Sequence, residues 1–235
     1  MLEIGPGPGG LTRSLLASPA ARVVAVEIDP RAIAALAELQ PSAGGRLTVI
    51  EGDARQLDAI ALIPEPRVIC ANLPYNVATP LLIGWLREAA AFERMVLMFQ
   101  LEVAERICAA PDTAAYGRLS VLAQAICTTD LRLRLPPEAF VPPPQVRSAV
   151  VVFEPHAAQP PPAEVAALER VTAAAFGQRR KMLRVALKPL GGIPLLEACG
   201  IDPQARAETL AVAAFQRLAR QLLDPTFQPV RRAPA

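Results

Sequence analysis

The sequence predicts an α/β fold, a Rossmann-like sheet with helices on its faces, followed by a small C-terminal all-helical domain. Three observations support this. Met1-Leu-Glu-Ile4 is an apolar strand that runs straight into the glycine turn Gly5-Pro-Gly7-Pro-Gly9-Gly10. Strand-like and helix-like segments then alternate at the pitch of parallel strands joined by right-handed crossovers. After the proline-rich residues 155 to 162 the period changes, and Val165, Leu168, Val171, Ala175 and Phe176 fall on one helical face. The expected organisation is an α/β domain over residues 1–155 and a helical domain over residues 156–235.

The elements follow in order. Leu11 to Leu16 is a short helix stopped by Ser18-Pro19. Arg22 to Ile28 is a strand, and Asp29-Pro30 supplies a capping acid and a first-turn proline for the helix Arg31 to Leu39. The third strand starts at Leu47, and the fourth covers Arg67 to Ala71. Thr79-Pro80 is expected to launch the next helix, through Arg87, and Phe92 to Phe99 reads as a fifth strand. Leu101 to Ala109 and Leu119 to Cys127 read as helices; Asp130 to Leu135 and Ser148 to Phe153 read as strands on either side of a rigid proline loop. Only Met1 to Ile4 precede Gly5, fewer than the roughly five or six residues usual in a strand, so the chain is expected to lack its own beginning. The Arg231-Arg232 tail is expected to be disordered.

Composition narrows the function classes. At 52% apolar and 20% charged the chain has enough apolar residues for a packed core and does not read as disordered. Cys70, Cys108, Cys127 and Cys199 are widely spaced and His156 is the single histidine, which argues against a zinc site and a disulfide framework. No apolar run is long enough to span a membrane and no export leader is visible, so a cytoplasmic protein is expected. Net charge is +2, but it divides unevenly: residues 1–155 carry 13 basic and 16 acidic side chains, residues 156–235 carry 11 and 6. The basic second half suits a polyanionic partner.

Gly5, Gly7 and Gly10 match the G-x-G-x-x-G spacing, in which glycine backbone approaches a ligand near the start of a helix. Glu27 closes the second strand, where a carboxylate can accept both hydroxyls of a ribose, and Asp53 closes the third, where it can receive an adenine amino group. This arrangement suits NAD and S-adenosylmethionine equally. The fourth strand ends in Asn72-Leu73-Pro74-Tyr75. There the Asn72 side-chain oxygen and the Pro74 carbonyl can accept hydrogen bonds from an exocyclic amine while the Tyr75 ring stacks on its base. Two such acceptors would hold the amine hydrogens so that its nitrogen pyramidalises toward a sulfonium methyl, with no obligatory general base.

Leu2-Glu3-Ile4-Gly5-Pro6-Gly7, Asn72-Leu-Pro-Tyr75-Asn76 with Thr79-Pro80, Tyr116-Gly-Arg-Leu-Ser120, Phe140-Val-Pro-Pro-Pro144 with Ser148-Ala-Val150, and Phe176-x-Gln178-Arg-Arg-Lys181 occur in this order over nearly the whole chain. In these motifs the sequence resembles the ribosomal small-subunit (16S) RNA adenine N6-dimethyltransferase family. The resemblance implies two methyl transfers from S-adenosylmethionine to each of two adjacent adenines in a hairpin near the 3′ end of 16S rRNA, within the immature small subunit, by a monomeric enzyme. It places Glu3, Gly5, Gly7, Glu27, Ile28, Asp53, Ala54 and Asn72 at the cofactor. Asn72, Leu73 and Pro74 would line the amine pocket, Tyr75 and Phe140 would sandwich the extruded base, and Arg179, Arg180, Lys181 and Arg184 would meet RNA phosphates. The family carries a Gly-Gln-x-Phe-Leu-like segment before the first strand, and this sequence does not show it.

Three competing readings are weaker. An NAD-dependent oxidoreductase leaves residues 72–75 unexplained. Macrolide-resistance dimethyltransferases acting on large-subunit RNA share the Asn-x-Pro-Tyr logic, but Leu73, Phe140 to Pro144 and the basic 179–181 segment favour the small-subunit branch. A ribosome-assembly factor with a silent pocket would use the basic domain alone.

Overall fold

The structure, a computed structural model, describes residues 1–178 and 180–227. In chain order it forms β1 (Leu2–Ile4), α1 (Gly10–Ala17), β2 (Val23–Glu27), α2 (Pro30–Ala37), β3 (Leu47–Glu51), α3 (Ala59–Leu62), β4 (Val68–Asn72), α4 (Tyr75–Arg87), β5 (Arg94–Gln100), α5 (Leu101–Ile107), α6 (Arg118–Ile126), β6 (Cys127–Leu135) and β7 (Ser148–Pro155). The helices α7 (Pro162–Gly177), α8 (Leu183–Ala186), α9 (Gly192–Ala198) and α10 (Val212–Leu223) complete it. The Arg231-Arg232 tail lies outside the described residues.

One seven-stranded sheet runs in the order β3-β2-β1-β4-β5-β7-β6. The first five strands of that order are parallel, and β7 is antiparallel to β5. Connections leave β1 in one direction and approach β4 from the other, so a crevice opens beyond the C-terminal ends of these two neighbours. All five residues of β2 are buried, as a strand covered on both faces requires. One side of the core is built by Leu15, Val23, Ala25, Leu36, Leu39, Ala43 and Leu47.

α4 starts at Tyr75 and runs through Thr79-Pro80, where the sequence pattern predicts its beginning. The Pro74 carbonyl opens the helix by accepting from the Val77 and Ala78 N–H groups, both at 3.1 Å. An interior proline costs about 3 kcal/mol. Burial of Leu81, Leu82, Trp85 and Leu86 outweighs it, at about 1.5–3 kcal/mol for each leucine alone.

The chain divides into two compact units. The first comprises Met1–Ala104 and Thr128–His156, and the second comprises Glu105–Cys127 and the residues from Ala157 onward. The sequence pattern places residues 105–127 in the first domain. α6 explains the difference: Leu119, Val121, Leu122, Ala123, Ala125 and Ile126 are all buried, and the helix packs against α7 and α10. A helix buried over most of its circumference shows no single apolar face from which its partner can be read. Within the second unit the buried Tyr116 donates its hydroxyl to the Leu210 carbonyl at 2.9 Å and meets Phe176 edge-on, while Phe176 stacks on Phe215.

Candidate active site at the switch point of the sheet

The glycine turn after β1 is built against two neighbours. Gly5 has a φ of +65°, a backbone conformation that favours glycine, and a Cβ there would make ordinary contact with Pro74 Cδ at 3.5 Å. The Gly7 N–H donates to Glu27 Oε2 at 3.0 Å, while Glu27 Oε1 accepts from the Ile28 and Asp29 N–H groups at 2.8 and 2.9 Å. Glu27 thus ties the turn to the end of β2. The third glycine of the predicted spacing does not do the packing: Gly10 has open space around it, whereas a Cβ on Gly9 would fall 2.6 Å from Leu39 Cδ1.

Glu3 is buried on β1, and neither of its carboxyl oxygens has a hydrogen-bond partner among the described residues. Burial pushes its pKa up to about 7, and the Glu27 charge adds to that; the nearby Thr12 hydroxyl, itself outside hydrogen-bond geometry, pulls the other way. A buried, unpartnered acid beside a second acid is a site prepared for a positive group.

The crevice between these strand ends has two lobes. One, of about 260 Å³, is lined by Gly5, Glu27, Ile28, Asp53, Ala54 and Pro74, together with Ile4, Val26, Asn76 and Leu81. The other shares Gly5, Glu27 and Pro74 and adds Gly7 and Asp29. Ile28 is 63% exposed, an apolar surface offered to the crevice. Asp53 lines it already engaged: Arg55 grips its carboxylate through Nε and Nη2 and holds its pKa low. Arg55 was not anticipated, although its position two residues after a turn acid was a legible signal.

β4 ends at the exposed Asn72, followed by the buried Leu73, the exposed Pro74 and the half-buried Tyr75. Asn72 pairs with Met98 and Ser148 pairs with Gln100, so the two flank the C-terminal end of β5. The Tyr75 hydroxyl lies 2.8 Å from Ser148 Oγ. One expectation is corrected here. The Pro74 carbonyl already accepts two N–H groups of α4, which fills its acceptor capacity, so it is not the second acceptor for an amine. The Leu73 carbonyl receives no bond from a described residue and stands next to Asn72 in the chain.

Phe140 is half-buried in the loop before β7. Arg180, Lys181 and Arg184 are exposed in the second unit, where Leu183 and Ala186 anchor α8. Arg179 lies outside the described residues. Among the described residues no group of three or more His, Cys, Asp or Glu side chains could hold a metal, and no helix is long and apolar enough to cross a membrane.

An antiparallel strand set beside β5, in a sheet otherwise wound like a dinucleotide-binding one, together with an Asn-Leu-Pro-Tyr segment at the switch point, defines the class: a Rossmann-like methyltransferase. The family model described as ribosomal RNA adenine dimethylase matches residues 1–224, and the chain belongs to that family. Ribosomal RNA small subunit methyltransferase A of Gluconobacter oxydans is 63% identical over 93% of this chain and 72% of its own length. The Rhodospirillum rubrum protein of the same name is 57% identical over 94% and 77%. Among solved structures, a dimethyladenosine transferase from Plasmodium falciparum has a TM-score of 0.79 at 26% identity, covering 92% of this chain and 87% of that one. The 23S rRNA methyltransferase ErmE has a TM-score of 0.70 at 25% identity, covering 95% and 90%.

Proposed function

We propose that this protein transfers methyl groups from S-adenosylmethionine to the N6 amines of two adjacent adenines in a hairpin near the 3′ end of 16S rRNA, acting as a cytoplasmic monomer on the immature small subunit. The observation that carries this reading is the pair of unengaged acceptors, Asn72 Oδ1 and the Leu73 carbonyl, directly before Pro74, which lines the crevice together with Glu27 and Asp53. Relatives 52–63% identical are named for the small subunit, which supports that branch over the large-subunit one.

The crevice fits the cofactor. Glu3 would answer a positive amino group, Gly5 and Gly7 bring backbone close, Glu27 retains acceptor capacity on Oε2 for a ribose hydroxyl, and Ile28 with Ala54 offers apolar surface to a purine. Asp53 with Arg55 closes the purine end. The cofactor supplies a methyl group on a sulfonium, electrophilic without metal assistance.

The rest is the work of this chain. An adenine amine is a poor nucleophile because its lone pair is delocalised into the ring. Asn72 and Leu73 would each accept one of its hydrogens, turning the nitrogen out of the ring plane and stabilising the positive charge that develops there. Tyr75, held by Ser148, and Phe140 would flank the base. The proton leaves to solvent after transfer, and acceptors without a rigid base leave room for the second methyl. Arg179, Arg180, Lys181 and Arg184 would hold phosphates of the RNA.

The test is incubation with unmethylated small-subunit particles and radiolabelled S-adenosylmethionine, followed by digestion to nucleosides. Label in dimethyladenosine, lost on Asn72→Ala, is the expected result; label in any other nucleoside would overturn the reading.

A further inference from the structure

Val141 is fully exposed, 100% by relative area, on a loop otherwise dominated by proline. Burial of a branched aliphatic is favourable, so a side chain left entirely in water is a contact the free protein does not make. The loop cannot easily fold back to cover it: Pro136, Pro137, Pro142, Pro143 and Pro144 restrict its backbone, and Phe140 N–H is bonded to the Pro137 carbonyl at 3.1 Å. The far end is fixed as well. The Arg147 carbonyl accepts from Leu101 N–H at 2.9 Å, and Ser148, which meets the Tyr75 hydroxyl, enters the sheet opposite Gln100. The loop therefore stands at the same end of the sheet as Asn72.

Phe140 and Val141 leave this backbone in different directions. Phe140 is extended (φ −123°, ψ 151°), a geometry that sends successive side chains to opposite sides, and the result is a half-buried ring followed by a valine in water. The loop itself carries one exposed acid, Glu138, and basic side chains flank it. The exposed Arg134 and Arg147 bracket the loop, and the exposed apolar side chains of Leu133 and Val146 lie beside them in sequence. Apolar tips between arginines suit a nucleic acid, whose phosphates and base faces call for both.

On the proposed function, a stacked adenine must leave its RNA stack to reach Asn72 and Leu73, and its departure opens a gap between the neighbouring bases. We infer that Val141 is a positioning residue that enters this gap, an apolar wedge that holds the stack open while Phe140, one residue before it, meets the extruded base. The partner is RNA, contacted through base faces.

The test uses the full chain, its Val141→Gly and Val141→Leu variants, and unmethylated small-subunit particles with either natural RNA or 2-aminopurine at the target position. Single-turnover formation of dimethyladenosine at saturating protein should slow at least roughly tenfold for Val141→Gly, with particle affinity within about twofold, and recover in Val141→Leu. The 2-aminopurine fluorescence gained on binding the wild-type protein should be lost with Val141→Gly and regained with Val141→Leu. Retention of both rate and fluorescence gain by Val141→Gly would overturn the wedge, as would a wild-type protein that gives no fluorescence gain. A self-associated free protein that becomes monomeric on Val141→Gly would assign the valine to a second copy of this chain and overturn it too. Absence of dimethyladenosine with the wild-type protein would instead count against the underlying function.

Discussion

The Tyr75 hydroxyl and the Ser148 hydroxyl stand 2.8 Å apart, joining the segment after β4 to the first residue of β7 across the end of β5. The contact separates the two uses of the tyrosine, a ring for the base and a hydroxyl for the scaffold. Tyr75→Phe should lower stability by about 1 kcal/mol and leave most of the methylation rate. Ser148→Ala should do the same, and the double variant should be less destabilised than the sum of the two. Tyr75→Ala should cost more in rate, because it removes the ring as well. Urea denaturation and single-turnover methylation check the four variants.

Asn72 is exposed, so Asn72→Ala should change stability by no more than about 0.5 kcal/mol. Removal of a preorganised acceptor should nevertheless lower the rate of methyl transfer by about 10²–10³-fold. The same loss in a variant that melts early would point to misfolding instead.

Glu27 accepts three backbone N–H bonds, so Glu27→Gln should loosen the glycine turn and weaken cofactor affinity together. An affinity loss of about tenfold with a stability loss of about 1–3 kcal/mol is expected, read by calorimetric titration and thermal melting.

The Glu3 carboxyl, raised by burial from its ordinary 4.5 to about 7, binds a proton in the folded state that the unfolded chain releases near pH 4.5. The stability linked to that proton is therefore full below pH 4.5 and lost as the pH rises toward 7. Glu3→Gln should flatten this slope in denaturation curves of the ligand-free protein. Asp29, held down to about 2 by Arg31, acts in the opposite sense below pH 4, outside this window.

In the second unit, Tyr116→Phe should destabilise the protein by about 1–2 kcal/mol, since the buried Leu210 carbonyl would lose its hydroxyl donor. Methylation assayed well below the melting temperature should change little.

How much was legible follows the range of the interactions. The glycine turn, the acids closing β2 and β3 and the Asn72 to Tyr75 segment were readable from residues 1–75, because a strand end and the turn after it are chain neighbours with local chemistry. So was the succession of strands and helices, since periodicity survives in a linear string. Other features were decided by contacts distant in sequence. Gly9 is the packing glycine because Leu39 comes to rest against it, α4 runs through Pro80 because its leucines are buried, and 105–127 joins the helical unit because α6 finds α7 and α10. The Pro74 carbonyl was misread for the same reason: its acceptor capacity depends on where α4 begins, which burial settles. By itself the sequence determined which groups stand at the strand ends. Only the tertiary structure decided which of them remain free to act, because a donor or acceptor is available only when no other part of the folded chain has already engaged it.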